Sequence, residues 1–402
     1  MGSYATTGID MKFCDKCHSC INPCGREESM HSQSYWEDIS NPIRGTQAKS
    51  SADILVIGSG FTGASAAYHL ASKQKEFSVA IVDDGCTGSF SRNAGHILWG
   101  MSEHYYCQVE HWGEEKAKDI GGLSLSFMDL NKDLYSDMWG IYKTHAMNDS
   151  EEEVMKKSWD YEKEHFDHGT VYTSGKGNPI VNRNNVLMKA YNEGVSHVEC
   201  QVDFVEKRGD GYRVHYTRGG WTAHKAVVMC TNAYTKLILD DTGNTLEPFK
   251  GQIIVSEKLG SDLYINLNDQ FGNAWSFDNG FIYGQFVDGR VLIGGWRNNV
   301  SGGEVDSYDL SVNTDISDGL KDFVADRMDL KGLIWEYDWA GLMASTPNGL
   351  PIVKQRSSDG IYIAAGMNGY GHSWGPGCGA EVANMVLGLE VNKNVLKYFR
   401  GD

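Results

Sequence analysis

The sequence predicts a mixed α/β (α+β) fold, and three stretches of the chain carry that prediction. Residues 53–84 read as strand, glycine turn, helix and second strand, while residues 194–235 read as short alternating strands separated by glycine turns. Residues 360–389 again give strand, glycine-rich loop and helix. A helical tract near residues 101–165 and a β-rich tract near residues 236–328 complete a chain of 402 residues, which indicates two domains or one elaborated domain.

The first strand and its glycine turn form a dinucleotide-binding motif of the Rossmann type. Gly58, Gly60 and Gly63 give G-x-G-x-x-G directly after the apolar run Ile54–Ile57. The first glycine allows the tight turn, the second lets backbone approach a pyrophosphate, and the third lets helix and strand pack closely. Phosphates then lie at the helix N-terminus, and Asp83 at the end of the second strand is placed to bind a ribose. An accidental glycine turn is the alternative, and the strand–helix–strand context disfavours it.

Composition and charge narrow the class of protein. The net charge of −17 disfavours nucleic acid and anionic membrane surfaces as partners, because both are bound by basic surfaces. No apolar run approaches the roughly 18 residues of a membrane span. The N-terminus lacks a basic region followed by an apolar stretch, so we expect a cytoplasmic enzyme whose acidic surface does not repel a cationic substrate.

Four cysteines near the N-terminus predict a metal site. Cys14, Cys17, Cys20 and Cys24 are spaced C-x2-C-x2-C-x3-C, which matches the spacing of an iron–sulfur cluster run. In bacterial ferredoxins the fourth cysteine of such a run binds a different cluster, and here Pro23 precedes that cysteine instead of following it. An iron–sulfur cluster, a tetrahedral zinc site and unliganded thiols are therefore all open. Nine cysteines without disulfide spacing indicate a reducing compartment.

Five segments, in this order, resemble the FAD-dependent D-amino-acid oxidase superfamily. They are VIGSGFTGASAAYHLA, SRNAGHI, CTNAYT, FKGQIIVSE, and AGLMASTPNGLPIV with the following GIYIAAGMNGYGH. Within the superfamily the chain is similar to the branch that contains glycine oxidase, sarcosine oxidase and γ-glutamylputrescine oxidase. The resemblance extends from about Ser34 to the end of the chain, and the combination and order of the motifs make it specific.

The resemblance implies how the chain is divided. We expect a Rossmann-like FAD-binding domain of the D-amino-acid oxidase and glutathione-reductase type, formed by residues 51–100, 166–235 and 331–402. Residues 101–165 and 236–330 are expected to form a substrate domain built on a mixed, mainly antiparallel sheet that covers the flavin ring. The polar, cysteine-rich residues 1–50 are expected to be an N-terminal extension.

The resemblance also assigns cofactor-binding residues. The ADP-binding positions are Gly58, Gly60, Phe61, Thr62, Gly63, Asp83 and Asp84, and the loop beside the flavin and pyrophosphate is Ser91, Arg92, Asn93 and Ala94. Val202 corresponds to a backbone contact with adenine, and Thr231 and Asn232 to a strand end near the cofactor. Gly366, Asn368, Gly369, Tyr370, Gly371 and His372 form the loop at the flavin pyrimidine edge. Glycines in that loop let backbone N–H groups approach flavin N1 and O2, where positive charge stabilises the reduced anion.

The implied chemistry is oxidation of a C–N bond by hydride transfer to flavin N5, which yields an imine. His96 and His372 follow the two flavin-facing loops and are candidates to polarise flavin or substrate. Structural hydrogen bonding is the alternative role for both histidines. Tyr105 or its neighbour Tyr106 is expected to cover the substrate pocket, and Tyr105 is the third catalytic candidate.

Three positions depart from the family pattern. Met343 occupies the position where glycine oxidase has an arginine that clamps the substrate carboxylate, which makes a simple α-amino acid in that pose doubtful. Gly341 stands where sarcosine oxidase attaches its flavin through cysteine, so we expect non-covalent FAD. Leu292 aligns with the lysine that speeds reaction with oxygen in that enzyme, which puts fast oxidase behaviour in question.

Three functional hypotheses follow from these residues. The first is an FAD-dependent oxidoreductase, an oxidase or a dehydrogenase, that acts on a small amine or N-substituted amino acid. The second is the flavoprotein subunit of an iron–sulfur-linked dehydrogenase, in which the N-terminal cysteines pass electrons to an acceptor protein. The third is a flavin-binding subunit without turnover of its own. Because one fold hosts many activities, the substrate is inferred by analogy alone.

Overall fold

The computed structural model describes residues 33–45, 50–85, 88–101, 103–135, 140, 142–166, 175–216, 219–239, 245–357 and 359–401. The cysteines predicted to bind metal, Cys14, Cys17, Cys20 and Cys24, lie outside the described residues.

Strands alternate with helices through the described chain. The strands are β1 (Ser51–Ile57), β2 (Val79–Asp83), β3 (His96–Ile97), β4 (Tyr142–Thr144), β5 (Gly175–Lys176), β6 (Ser196–Glu199), β7 (Phe204–Arg208), β8 (Gly211–Tyr216), β9 (Gly219–Met229), β10 (Glu247–Ser256), β11 (Ala274–Phe277), β12 (Ile282–Val287), β13 (Arg290–Gly295), β14 (Trp335–Ser345), β15 (Ile352–Gln355) and β16 (Ile361–Ala365). The α-helices are α1 (Tyr35–Ile39), α2 (Phe61–Lys73), α3 (Tyr105–Trp112), α4 (Glu114–Leu134), α5 (Asp149–Phe166), α6 (Pro179–Asn192), α7 (Thr235–Ile238), α8 (Ser261–Phe271), α9 (Thr314–Arg327), α10 (Gly371–Val386) and α11 (Lys393–Tyr398). Short 3₁₀ helices span Asn232–Tyr234, Asp278–Gly280, Arg297–Asn299 and Ser301–Glu304.

An eight-stranded sheet carries the glycine motif. Strands β16, β9, β1, β2 and β6 are parallel neighbours in that order, with β15 antiparallel to β16 and the β7–β8 hairpin paired to β9. Alternate residues of β1 enter different core clusters: Ile54 and Val56 join residues of α2 and α10, whereas Leu55 and Ile57 join β8 and β9. The strand is thus buried on both faces, as its unbroken apolar run predicts.

A six-stranded sheet forms the second layer. Its order is β14-β10-β13-β12-β11-β4, and every pair is antiparallel except β4 with β11. Ile254 packs against α8 and α9, while its neighbours Ile253 and Val255 belong to the core shared with α2. The predicted mixed α/β fold with a mainly antiparallel second sheet is confirmed. Strand β14 belongs to this sheet, so residues 335–345 lie in the second layer although the sequence grouped them with the FAD-binding domain.

The part of the N-terminal stretch that the structure describes is packed into the core. Tyr35 and Trp36 of α1 are only 3% and 2% exposed, and Ser34 and Glu37 form a capping box at the start of the helix. The expectation that residues 1–50 form an appendage is therefore corrected for residues 34–43. The physical reason is hydrophobic burial. Two aromatic side chains within five residues bury a large apolar area, which holds this segment against the core.

Candidate active site

A cavity of about 1690 Å³ is lined by residues of both sheets. Since small-molecule pockets are commonly about 300–1,000 Å³, this one has room for a dinucleotide and a substrate together. The predicted cofactor-binding residues on its wall are Gly58, Gly60, Phe61, Thr62, Asp83, Asp84, Arg92, Asn93, Ala94, Val202, Thr231, Asn232, Asn368, Gly369, Tyr370, Gly371 and His372. Gly63, Ser91 and Gly366 are not on the wall, and each instead supports a segment that is.

Each glycine of the turn after β1 has its own structural reason. Gly58 has a φ of +100°, and a Cβ there would lie 2.7 Å from the Cys230 carbonyl oxygen. A Cβ on Gly63 would lie 1.9 Å from the Gly58 oxygen, so Gly63 permits the contact between helix and turn. A Cβ on Gly60 would meet no described atom within 4 Å, although Gly60 lines the cavity. Gly60 is the N-cap of α2 and no side chain caps this helix, which leaves its first N–H groups for an anion.

Asp83 is fixed at the end of β2, and a buried arginine supports the turn beside it. Asp83 Oδ2 accepts from the Ser59 N–H at 2.8 Å and Oδ1 from the Gly85 N–H at 2.9 Å. Arg183 of α6, 2% exposed, donates from Nε to the Ser59 carbonyl at 2.7 Å and from Nη1 to the Ile43 carbonyl at 2.7 Å. Burial lowers the pKa of Arg183 to about 10, so the guanidinium is charged at neutral pH. Sequence reasoning missed Arg183, because an arginine within a helical pattern carries no local signal of burial.

The loop of residues 91–94 is held from behind by α1. Ser91 is fully buried and its hydroxyl donates to Glu37 Oε1 at 2.8 Å. Arg92 Nη1 lies 3.5 Å from Glu37 Oε2, and the Trp36 indole N–H donates to the Asn93 carbonyl at 2.7 Å. Ser91 therefore positions the loop, while Arg92 and Asn93 reach the cavity wall. The contribution of α1 to this loop was also missed from the sequence.

A second uncapped helix N-terminus faces the same cavity. Asn368 and Gly369 have φ of +49° and +87°, and this turn leads into α10, which begins at Gly371 without a side-chain cap. The Asn368 side-chain amide donates to the Gly366 carbonyl at 2.7 Å, and the Gly366 N–H donates to Asn232 Oδ1 at 3.0 Å. Gly366 thus ties the loop to the start of the 3₁₀ helix that follows β9. The free N–H groups and dipole of α10 favour negative charge at this wall.

His372 is buried at this helix N-terminus, with 5% exposure. Its ring stacks on Phe61 with centroids 4.3 Å apart and an interplanar angle of 17°. The Asn182 amide lies 3.2 Å from Nε2, and Nδ1 makes no hydrogen bond of ordinary geometry among the described residues. Burial lowers the pKa of His372 to about 3, so the ring is neutral at physiological pH. A neutral imidazole whose Nε2 accepts from an amide carries its proton on Nδ1, which is buried away from the cavity and lies toward the His96 backbone.

His96 also lines the cavity, where it lies among aromatic rings. Its Nε2 donates to the Gly284 carbonyl at 3.0 Å, and its ring centroid is 5.6 Å from that of Tyr142 and 6.1 Å from that of Tyr283. Burial lowers the pKa of His96 to about 4 and raises the pKa of both tyrosines to about 12. These three side chains are therefore uncharged near neutral pH.

Tyr105 does not line the cavity. It is 2% exposed, its hydroxyl is 2.8 Å from His165 Nδ1, and it packs with Val109 and Ala117. The prediction that Tyr105 is a catalytic residue is corrected on this geometry, whereas the adjacent Tyr106 is on the wall. Neighbouring residues of an α-helix point about 100° apart, so only one of the two tyrosines can face the cavity.

The positions that depart from the family pattern differ in their exposure to the cavity. Met343 lines the wall. Gly341 also lines it, but a Cβ at this position would lie 2.3 Å from the Arg92 carbonyl oxygen, so the backbone leaves no space for a side chain. Leu292 is fully buried and does not reach the wall. Nothing at residue 292 or 341 therefore touches a ligand through a reactive side chain.

Two further observations concern the described chain. Its His, Cys, Asp and Glu residues form no group of three or more that could hold a metal ion. None of its helices combines the length and the apolar character required to cross a membrane.

The nucleotide side of the cavity fits FAD. Space for a pyrophosphate lies at the open side of Gly60, a carboxylate for ribose stands at Asp83, and α10 directs a second helix N-terminus at the same cavity. A Rossmann-type sheet with these groups, covered by a mainly antiparallel sheet, defines the class of FAD-dependent oxidoreductases. The chain belongs to the DAO family of FAD dependent oxidoreductases, whose model matches residues 53–385.

Comparisons with known proteins agree with this family. The probable oxidoreductase OrdL of Haemophilus influenzae is 27% identical over 382 residues, covering 84% of this chain and 83% of OrdL. L-Proline dehydrogenase from P. horikoshii has a TM-score of 0.68 at 19% identity, covering 88% of this chain and 98% of its own. Glycine oxidase from Geobacillus kaustophilus has a TM-score of 0.63 at 17% identity, covering 86% and 96%. The predicted family, fold class and enzyme class are thereby confirmed.

Proposed function

We propose that this chain oxidises a C–N bond of an amine or N-substituted amino acid, with FAD bound non-covalently. The proposal rests on the observation that two walls of different chemical character line one cavity. A dinucleotide wall with Gly60 and Asp83 continues into an aromatic wall with the uncharged side chains of His96, Tyr142 and Tyr283. The names of the structural neighbours, a proline dehydrogenase and a glycine oxidase, support a nitrogen-bearing substrate.

Different described residues would bind different parts of FAD. Free N–H groups of α2 would hold the pyrophosphate, Asp83 the adenosine ribose, and the N-terminus of α10 the flavin pyrimidine edge. When bound, FAD supplies two-electron oxidation by accepting a hydride from the carbon next to nitrogen, and the resulting imine is hydrolysed by water. His372, whose ring stacks on Phe61, would position the N-terminus of α10 beside the ligand.

The substrate wall favours the uncharged form of an amine. Aromatic side chains exclude water, and burial among the uncharged side chains of His96, Tyr142 and Tyr283 disfavours the ammonium form. His96 is neutral and bonded through Nε2, so its Nδ1 lone pair can accept a hydrogen bond from the N–H of an uncharged amine. The side chains thus orient an amine that has lost its proton to solvent, and no strong general base is required.

Non-covalent attachment has its own test. Gly341 offers no side chain for a covalent link. His96 follows the flavin-facing loop and is the other residue that could form one, but its Nε2 is engaged with the Gly284 carbonyl, so a link at either residue is disfavoured. Acid precipitation of the yellow protein should leave a colourless pellet and a yellow supernatant. A pellet that stays yellow after washing would contradict the proposal, and mass spectrometry of its peptides would identify the linked residue.

Anaerobic titration of the FAD-bound protein tests the reaction itself. Amines, N-methyl amino acids and α-amino acids are added in turn while flavin absorbance is followed. Bleaching by one class, with an imine-derived carbonyl compound recovered, is the expected result. If no nitrogen compound bleaches a flavin that dithionite does reduce, the chain is a flavin-binding subunit without turnover.

A second candidate function is an iron–sulfur-linked dehydrogenase. It is favoured by the spacing of Cys14, Cys17, Cys20 and Cys24. Protein purified without air should then contain iron and acid-labile sulfide, and a truncation of residues 1–30 should lose both while staying yellow. Zinc would leave the cysteines without a redox role, and absence of metal would remove this candidate.

A further inference from the structure

One arginine on the cavity wall has no acidic partner among the described residues. The wall carries two arginines, Arg92 and Arg297. Arg92 is buried beside Glu37. Arg297 donates only to the Gly303 carbonyl, at 3.4 Å, and makes no ion pair with a described carboxylate. A half-buried guanidinium that faces a cavity without a counter-ion is a position at which an anionic ligand group is stabilised.

Aromatic packing holds the Arg297 guanidinium in place. It lies 4.9 Å from the ring centroid of Phe249 and 5.3 Å from that of Phe281. The preceding Trp296 has a φ of +67°, and its indole packs so tightly on α9 that a Cβ on Gly319 would lie 2.1 Å from its Nε1. The reversal at the end of β13 is therefore fixed, and the side chain is preorganised before any ligand arrives.

Arg297 lies on the same face of the six-stranded sheet as Met343. Phe249, beneath the guanidinium, is the cross-strand partner of Met343. Gly251 is two residues further along β10 and so faces the same side, and there a Cβ would meet Met343 Cε at 2.6 Å and the Tyr283 hydroxyl at 3.3 Å. The Arg297 guanidinium, at the end of β13, therefore lies over Phe249, the residue that pairs with the apolar Met343.

We propose that Arg297 binds a carboxylate of the substrate between Phe249 and Phe281. The inference rests on the proposed function in that it names the substrate class: an amino acid or N-substituted amino acid whose acid group binds at the end of β13. The fork of the guanidinium offers two parallel N–H donors to a planar carboxylate, and the flanking rings exclude water from the pair. The substrate nitrogen would then point toward His96 and Tyr283 on the same cavity wall.

Calorimetry on the FAD-bound, full-length protein tests this without turnover. Acetate and benzoate are titrated beside acetamide and benzamide, which have the same shape and no charge. The carboxylates should bind and the amides should bind at least about tenfold more weakly. In R297Q the carboxylates should lose about tenfold to hundredfold in affinity, the range expected for hydrogen bonds to a charged group. R297K should lose less, because it keeps the charge and loses the fork.

A matched control lies at the other end of the same strand. Arg290 begins β13 and also lies over two aromatic rings, 5.9 Å from Tyr35 and from Tyr337, but it is paired with Glu336 and is not on the cavity wall. R290Q should leave carboxylate affinity unchanged. Equal affinity for carboxylates in R297Q and the unmodified protein overturns the inference, as does failure of both carboxylates to bind. Anaerobic bleaching is scored separately, so carboxylate binding without any bleaching would reject the proposed reaction and retain Arg297 as an anion site.

Discussion

The two halves of the cavity are built in different ways. On the nucleotide side, the groups that would contact FAD are backbone N–H groups of α2 and α10 and one carboxylate, Asp83, held by backbone. On the substrate side, the wall consists of side chains from strands that are distant in sequence, such as His96, Tyr142 and Tyr283. Backbone geometry tolerates few sequences, whereas a wall of side chains can change residue by residue. On the proposed function, the first half therefore binds the cofactor and the second selects the substrate.

Substitution of Gly60 should have the largest effect. Because a Cβ at Gly60 meets no described atom within 4 Å, G60V should fold, and its side chain would occupy the part of the cavity proposed to hold the pyrophosphate. We expect loss of bound FAD with an unchanged far-ultraviolet circular dichroism spectrum. Flavin content is measured from the absorbance ratio of the purified protein.

Gly260 provides a closely matched control for Gly60. It is the N-cap of α8, its φ is −61° against −64° for Gly60, and a Cβ there also meets nothing within 4 Å, but it is not on the cavity wall. G260V should retain full flavin content. Retention of FAD in G60V, or its loss in both variants, would show that the dinucleotide wall has been placed wrongly.

Arg183→Met should weaken FAD binding without abolishing it. The variant removes the donors to the Ser59 and Ile43 carbonyls that support the glycine turn from behind. Since hydrogen bonds from a charged group contribute about 1.5–3 kcal/mol, the dissociation constant for FAD should rise about tenfold to hundredfold. Fluorescence titration of the apoprotein measures it. The control is R213M, which alters an arginine that is bonded to Thr222 away from the cavity and should bind FAD normally. If R183M binds FAD as tightly as the unmodified protein, Arg183 has a purely structural role.

The contrast between the halves also explains what could be predicted from the sequence. The glycine turn, Asp83 and the α10 loop are local motifs whose spacing fixes their geometry, so their placement on the cavity follows from adjacent residues. Arg183 donates to Ile43, which is 140 residues away in the sequence, and Arg297 packs on Phe249 of a different strand; no local pattern indicates such contacts. The choice between Tyr105 and Tyr106 depends on the rotation of α3, which is set by packing against Ala117 and His165.

The uncharged state of the histidines predicts a pH dependence of stability. Burial lowers the pKa of His96 to about 4 and that of His372 to about 3, against about 6.5 when unfolded. Between the folded and unfolded pKa values, the unfolded chain binds more protons than the folded chain. The contribution of these histidines to the free energy of unfolding is therefore fully present above pH 6.5 and decreases as the pH falls toward 4. Each histidine contributes a slope of about 1.4 kcal/mol per pH unit in that range.

Urea unfolding at several pH values measures this slope. H96Q and H372Q should each reduce the slope of unfolding free energy against pH by the equivalent of about one proton relative to the unmodified protein. Neither variant should change the pH dependence above pH 7. H224Q is the control, because His224 is exposed and its environment changes little on unfolding. An unchanged slope in both cavity variants would mean that the substrate wall accepts a charged imidazole, and the proposed neutral amine pocket would have to be abandoned.

Gly251→Ala should have the smallest effect, and it should be confined to the substrate half. Its added methyl group would lie 2.6 Å from Met343 Cε, the end of a flexible side chain that can move aside, and 3.3 Å from the Tyr283 hydroxyl. FAD content should therefore be unchanged, while the amine concentration for half-bleaching shifts by less than about tenfold, equivalent to about 1.4 kcal/mol. M343L, which keeps volume and removes sulfur, should shift it less. Loss of flavin in G251A would show that the two halves are coupled through β10, because a change confined to the substrate wall would then have reached the cofactor.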